Sequence, residues 1–314
     1  RSSAASDVYK RQHVYLVYNA QSNSTSAVIE TINNNAENIT INLFDYTTGN
    51  TETSKYEGGK YTNQQGINSG HTLKFMSNTT SLATTHINGW TGDSGVNSGI
   101  VKNTLENGYP SLISNNESLA YLFNPDSSVD GKTVYGNTNY LLTKDSDGYF
   151  SFDSDKNYAE FDTESREFTV YSRGLKVFYP FDAFSKVAGK TLESFHGGSV
   201  GLGAGSANHY FGMTMSATFF QPKGGKVNGN DMVFEFSGDD DVWVFIDDKL
   251  VLDLGGIHDE ASGSINFATG EVRVNGDIQH GKGLFDILEE DTFEDYSQHT
   301  IKFFYLERGN NASN

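Results

Sequence analysis

Three consecutive carboxylates, Asp239, Asp240 and Asp241, stand between two apolar stretches, Val233–Phe236 and Val242–Ile246. Three adjacent negative charges at a strand end repel one another. The repulsion is relieved if the turn is solvated, or if a hard cation with oxygen ligands sits there. From spacing alone both readings stay open. Adjacent side chains on an extended chain point to opposite faces, so two neighbouring Asp residues share one ion only if the peptide between them bends sharply. Further on, Gly255–Gly256–Ile257–His258–Asp259–Glu260 offers His258 and Asp259 as hydrogen-bonding groups for hydroxyls, or as solvated turn residues. Trp243, directly after the carboxylates, is either a stacking platform for a sugar ring or a core residue. Val242 and Val244 share one face and Trp243 and Phe245 the other, which favours core.

Other chemistry is weaker. His258 has no second His or Cys at zinc spacing, and His280 and His299 lie in unrelated segments. Asp247 and Asp248 read as hairpin-turn residues. Asp145, Asp147 and Gly148 miss the spacing of a helix–loop–helix calcium site and read as another turn. The glycine-rich 196–206 loop lacks the Lys-Ser/Thr of a phosphate loop. There is no GxSxG nucleophile elbow, and no carboxylate pair stands in a glycosidase-like context. Catalysis is therefore not expected, although a Ser-His-Asp arrangement of distant residues would leave no local mark.

Composition narrows the partners. The chain has 314 residues, a formal charge of −18 and no cysteine. That charge argues against nucleic acid, which needs basic stripes, and against anionic membranes. It favours cations or neutral, hydroxyl-rich ligands. No apolar run approaches the roughly 20 residues that span a bilayer, so membrane insertion is not expected. A cysteine-free, acidic, Asn/Thr-rich chain fits a secreted or cell-wall-attached bacterial protein.

The elements that must position these residues are short strands. Ile39–Tyr46, His71–Met76, Tyr140–Thr143, Tyr149–Asp153, Asn157–Phe161, Glu167–Tyr171, His209–Phe220 and His299–Leu306 have strand chemistry. So do Ile265–Phe267 and Glu271–Asn275, flanking a turn. Gly99–Phe123 breaks the two-residue period and suggests helical or irregular pieces, and Gly283–Glu290 a short helix. Many short strands with frequent turns predict an all-β sandwich or barrel, with an elaborated N-terminal half and a few short helices. Residues 1–12 carry no core pattern and read as non-native. Residues 13–38 read as a linker or the tail of a preceding domain. Residues 39–314 read as the main domain, with its C-terminus cut short.

The run FEFSGDDDVWVFIDDKLVLDLGGIHDEASGSINFATGEVRVNG resembles a fibro-slime domain, a bacterial branch of the PA14 family. ITINLFDY, GIVKNTLENGYPSL, SLAYLF, NYAEFD, HYFGMTM, FQPKGGKV and HTIKFFYLERG carry the same resemblance in order. It implies a PA14-like β-sandwich and a calcium ion (Ca2+) held by a cis Asp239–Asp240 pair, with Glu307 as a further ligand. Asp241 falls where the family often has Gly or Ser, a departure that could add a ligand or move the ion. The implied function is a calcium-dependent carbohydrate-binding or adhesion module, with Asp241, Trp243, His258 and Asp259 near a glycan or cell-surface polysaccharide. A non-lectin structural module of a large surface protein is the alternative, and a glycoside hydrolase accessory domain a weaker one.

Overall fold

The computed structural model describes residues 16–17, 38–48, 56–57, 60–61, 66–75, 87–146, 148–172, 174–182 and 208–309. The expectations for residues 1–12, for most of 13–38 and for the 196–206 loop fall outside them.

Ten strands build the part that matters for the site. They are β1 (Ile39–Tyr46), β2 (Lys132–Thr138), β3 (Phe211–Phe220), β4 (Val233–Gly238), β5 (Asp241–Ile246), β6 (Lys249–Leu254), β7 (Ala261–Asn266), β8 (Val272–Val274), β9 (Asp277–Ile278) and β10 (Gln298–Glu307). One six-stranded sheet runs in the order β6-β5-β10-β3-β1-β2, and a four-stranded sheet runs β4-β7-β8-β9. All these pairings are antiparallel. The fold is all-β, with only the short helices α1 (Ala120–Phe123) and α2 (Leu284–Leu288) beside single-turn pieces among the described residues.

Alternating side chains from the two sheets meet in one core. Phe234, Phe236 and Ile265 come from the four-stranded sheet, and Met213, Met215, Val244, Phe303 and Tyr305 from the other. The second face of the six-stranded sheet is also covered. Phe44, Trp243, Phe245, Phe304 and Leu306 pack against Leu73, Phe75, Leu112, Leu122 and Phe123. Each such side chain contributes about 1.5–3 kcal/mol by leaving water. A strand buried on both faces has no reason to alternate polar and apolar residues. That explains why all of Val242–Ile246 is apolar and why Trp243 is fully buried.

The expected strand Tyr140–Thr143 is irregular up to Leu142, with a strand only at Thr143–Lys144, and two other segments depart further from the sequence reading. His71–Phe75 alternates like a strand but is irregular. Its backbone is satisfied by side-chain amides instead of a neighbouring strand. The Lys74 N–H donates to Asn88 Oδ1 (2.8 Å) and the Phe75 N–H to Asn68 Oδ1 (2.8 Å). Conversely, β2 is a strand that its composition hides. Its register against β1 shifts between Ile41 and Leu43, and Asn137 has a positive φ of 54°. Gly136 and Asn137 sit at this irregularity, where a weak strand former costs little.

Candidate functional site

The Asp239–Asp240 turn is where the chain leaves the four-stranded sheet, at Gly238, and enters the six-stranded one, at Asp241. It lies at one end of the sandwich under several loops. Asp239, Asp240 and Asp241 are all buried, as are Glu307 and Arg308 beside them. A solvated acidic turn is therefore excluded, and the charges must be met inside the protein.

Arg308 meets most of them. β5 pairs with β10 so that Asp241 faces Leu306, and the chain then carries Arg308 back over Asp241. The guanidinium grips that carboxylate by two prongs, Nε to Oδ2 and Nη2 to Oδ1 (3.1 Å). This planar fork is the strong form of such a pair. Nη2 also donates to the Ile87 carbonyl (2.7 Å), and Nη1 to the Lys74 carbonyl (3.3 Å) and Asn88 Oδ1 (3.4 Å). The remaining Asp241 bond comes from the Gly256 N–H (2.6 Å). Gly256 has a φ of 104°, and a Cβ there would sit 2.8 Å from Asn97 Cβ, so only glycine fits.

Asp240 accepts from two backbone N–H groups, those of Arg308 (2.9 Å) and His258 (3.3 Å). Burial pushes its carboxyl up to about 6; His258 and Arg308 pull it down, and Asp241 pushes it further up. Glu307 accepts from the Gly309 N–H (3.3 Å) and the Tyr305 hydroxyl (3.4 Å). Asp253, at the end of β6, accepts from Gly99 (2.7 Å) and Gly255 (3.1 Å). Burial also pushes Asp253 up to about 6, against those two hydrogen bonds.

His258 does not face a ligand. It is buried, with Nδ1 2.8 Å from the Asp259 carbonyl and Nε2 3.0 Å from the Leu254 carbonyl. Carbonyl oxygens only accept, so each contact is a hydrogen bond when the ring nitrogen facing it carries the proton. Asp259 is exposed and accepts from the Trp90 indole N–H (3.1 Å). Trp243 has no exposed face for a sugar ring, which corrects the stacking expectation in favour of core.

The expected calcium site is corrected on two observations. The Asp239–Asp240 peptide bond is trans, not cis. Among the described residues, no group of three or more His, Cys, Asp or Glu side chains is arranged to hold a metal ion. What the sequence reading missed is Arg308. Its signal was present, as a basic residue directly after an apolar strand and next to Glu307, but its partner lies 67 residues away.

No family model matches the chain, and no solved structure matches it. The chain is similar to proteins of Dictyostelium discoideum. It is 32% identical to protein psiG over 181 residues, which is 56% of this chain and 22% of psiG. It is 33% identical to protein psiB over 160 residues, 50% of this chain and 23% of psiB. A 59-residue stretch, 18% of this chain and 5% of psiR, is 54% identical to protein psiR. The chain thus spans less than a quarter of the length of these relatives. These eukaryotic relatives overturn the bacterial fibro-slime identification and the bacterial origin drawn from it. The calcium-dependent carbohydrate-binding reading falls with them, and its glycan partner has no support. Among the described residues, no helix is long and apolar enough to cross a membrane.

Proposed function

We propose that the chain is a structural module within a longer polypeptide, and that its acidic loop end fastens the sandwich instead of taking a ligand. The observation that carries this reading is the fully buried Arg308. One side chain joins β5, the 87–88 loop and the 74–75 segment through Asp241, Ile87, Asn88 and Lys74. An active or binding site leaves polar groups open to its ligand; here the groups most suited to that role are engaged with one another. The relatives support the reading, since in each the matching stretch is a fraction of a longer chain.

The test separates a fastening from a ligand site. Arg308→Met leaves Asp241 buried and uncompensated, which costs about 3–5 kcal/mol by urea denaturation. Adding Asp241→Asn to it restores a part of that loss. Calcium and a chelator each leave the melting temperature of the unmodified chain unchanged. A calcium-dependent rise in melting temperature, or an Arg308→Met chain as stable as the parent, would refute the structural role.

A further inference from the structure

At the end of the sheet where the β5–β6 hairpin turns, three side chains stand in a line that the acidic loop end does not use. Ser297 Oγ lies 2.6 Å from His299 Nε2, and His299 Nδ1 lies 2.6 Å from Asp247 Oδ2. The other oxygen of Asp247 accepts from the Thr300 N–H (2.7 Å) and the Thr300 hydroxyl (3.2 Å). The imidazole is buried and stacked on Phe293, with ring centroids 3.5 Å apart and 17° between planes, and Phe219 packs near it at 5.7 Å. The nucleophile, the base and the group that orients the base are thus in hydrogen-bond contact in that order, and the ring that links them is held in one orientation.

We propose that Ser297, His299 and Asp247 form an acyl-transfer triad that hydrolyses neutral esters with an apolar or aromatic acyl group. This goes beyond the structural role and uses different residues. With Nδ1 against the Asp247 carboxylate, Nε2 faces Ser297 Oγ and is the ring atom placed to take its proton in the reaction. The Glu294 carbonyl, 2.7 Å from Ser297 Oγ, is the alternative acceptor for the same proton and holds the oxygen in place.

In the first step Oγ attacks the ester carbonyl carbon. The Oγ–C bond forms while His299 Nε2 takes the hydroxyl proton. The bond from carbon to the alkoxy oxygen then breaks, and His299 hands that oxygen the proton, so an alcohol leaves. Water attacks the acyl-serine with His299 as base; the Oγ–C bond breaks, Oγ recovers its proton, and a carboxylic acid is released.

The surroundings select the substrate class. Tyr296, directly before Ser297, is 68% exposed and offers an apolar surface next to the serine. Tyr296 also has a φ of 67°, a conformation that disfavours a bulky residue. Such strain persists where the surrounding structure enforces it, often beside reactive groups. Glu290, Asp291, Glu294 and Asp295 are exposed in the same segment and repel anionic esters.

The test uses the whole chain with a fluorophosphonate probe, which labels activated serines, and with phenyl butyrate as substrate. The expected result is a single label on Ser297 by peptide mass mapping, lost in Ser297→Ala at unchanged melting temperature. Asp247→Asn keeps the turn, since Asn tolerates positive φ, and lowers labelling and ester turnover by about 100-fold or more. A structural hydrogen-bond chain would move the melting temperature and leave no label. Absence of label on Ser297 in the folded chain, or equal labelling rates in the parent and Asp247→Asn, overturns the proposal.

Discussion

At the scale of single residues, the acidic end is a charge-balance problem solved in three ways. Asp241 is matched by the Arg308 fork. Asp240 lies in the field of His258 and Arg308, both of which pull its carboxyl down. Asp240 and Asp253 are further relieved by proton uptake, since burial raises both to about 6 from an ordinary value of 3.8. A raised carboxyl makes the folded state bind more protons than the unfolded one between the two values. Its stabilising contribution is therefore complete below about 4 and lost as the pH rises through about 6. The melting temperature is expected to increase as the pH is lowered through that window, and Asp240→Asn to flatten the increase. His209 works against it, because burial pushes its imidazole down and the unfolded chain takes up its proton first in acid. A thermal-shift series across pH in both proteins checks the sign.

At the scale of elements, the apolar character of β5 was legible in sequence, and so was its turn. Asp247 and Asp248 have φ values of 46° and 63°, the two successive positive angles that suit a tight hairpin between twisted strands. The 71–75 segment and β2 were not legible in the same way. In the first, amide side chains from Asn68 and Asn88 replace a sheet neighbour. In the second, an irregular register accepts residues that a regular strand would reject. The loop after β6 depends on Gly256, which delivers its N–H to Asp241. Gly256→Ala combines a strained φ with a close approach to Asn97. It is expected to destabilise the chain by about 1–3 kcal/mol in urea denaturation.

At the scale of the whole molecule, the all-β class follows from the many short apolar strands, and the structure bears it out. Which strands fall in which sheet, and the second apolar layer, could not be read from strand chemistry, because they depend on which distant segments cover which face. The same distance hid the use of the acidic run. Its three carboxylates were conspicuous, but their meaning depended on a residue beyond β10. Local spacing leaves a solvated turn and a cation site both open, and the buried arginine answers to neither.

The reach of that arginine has a kinetic consequence. Arg308 contacts residues 67, 221 and 234 positions away along the chain. Contacts that close such long loops bear the largest entropy cost and form after the local hairpins. The fastening is therefore expected to form after the folding transition state. Arg308→Met is expected to leave the refolding rate within a few-fold of the parent and to place nearly all of its effect on unfolding. Stopped-flow refolding and unfolding arms distinguish the two. A chain built this way is expected to reach its native topology without the fastening and then to owe to it the time it stays there.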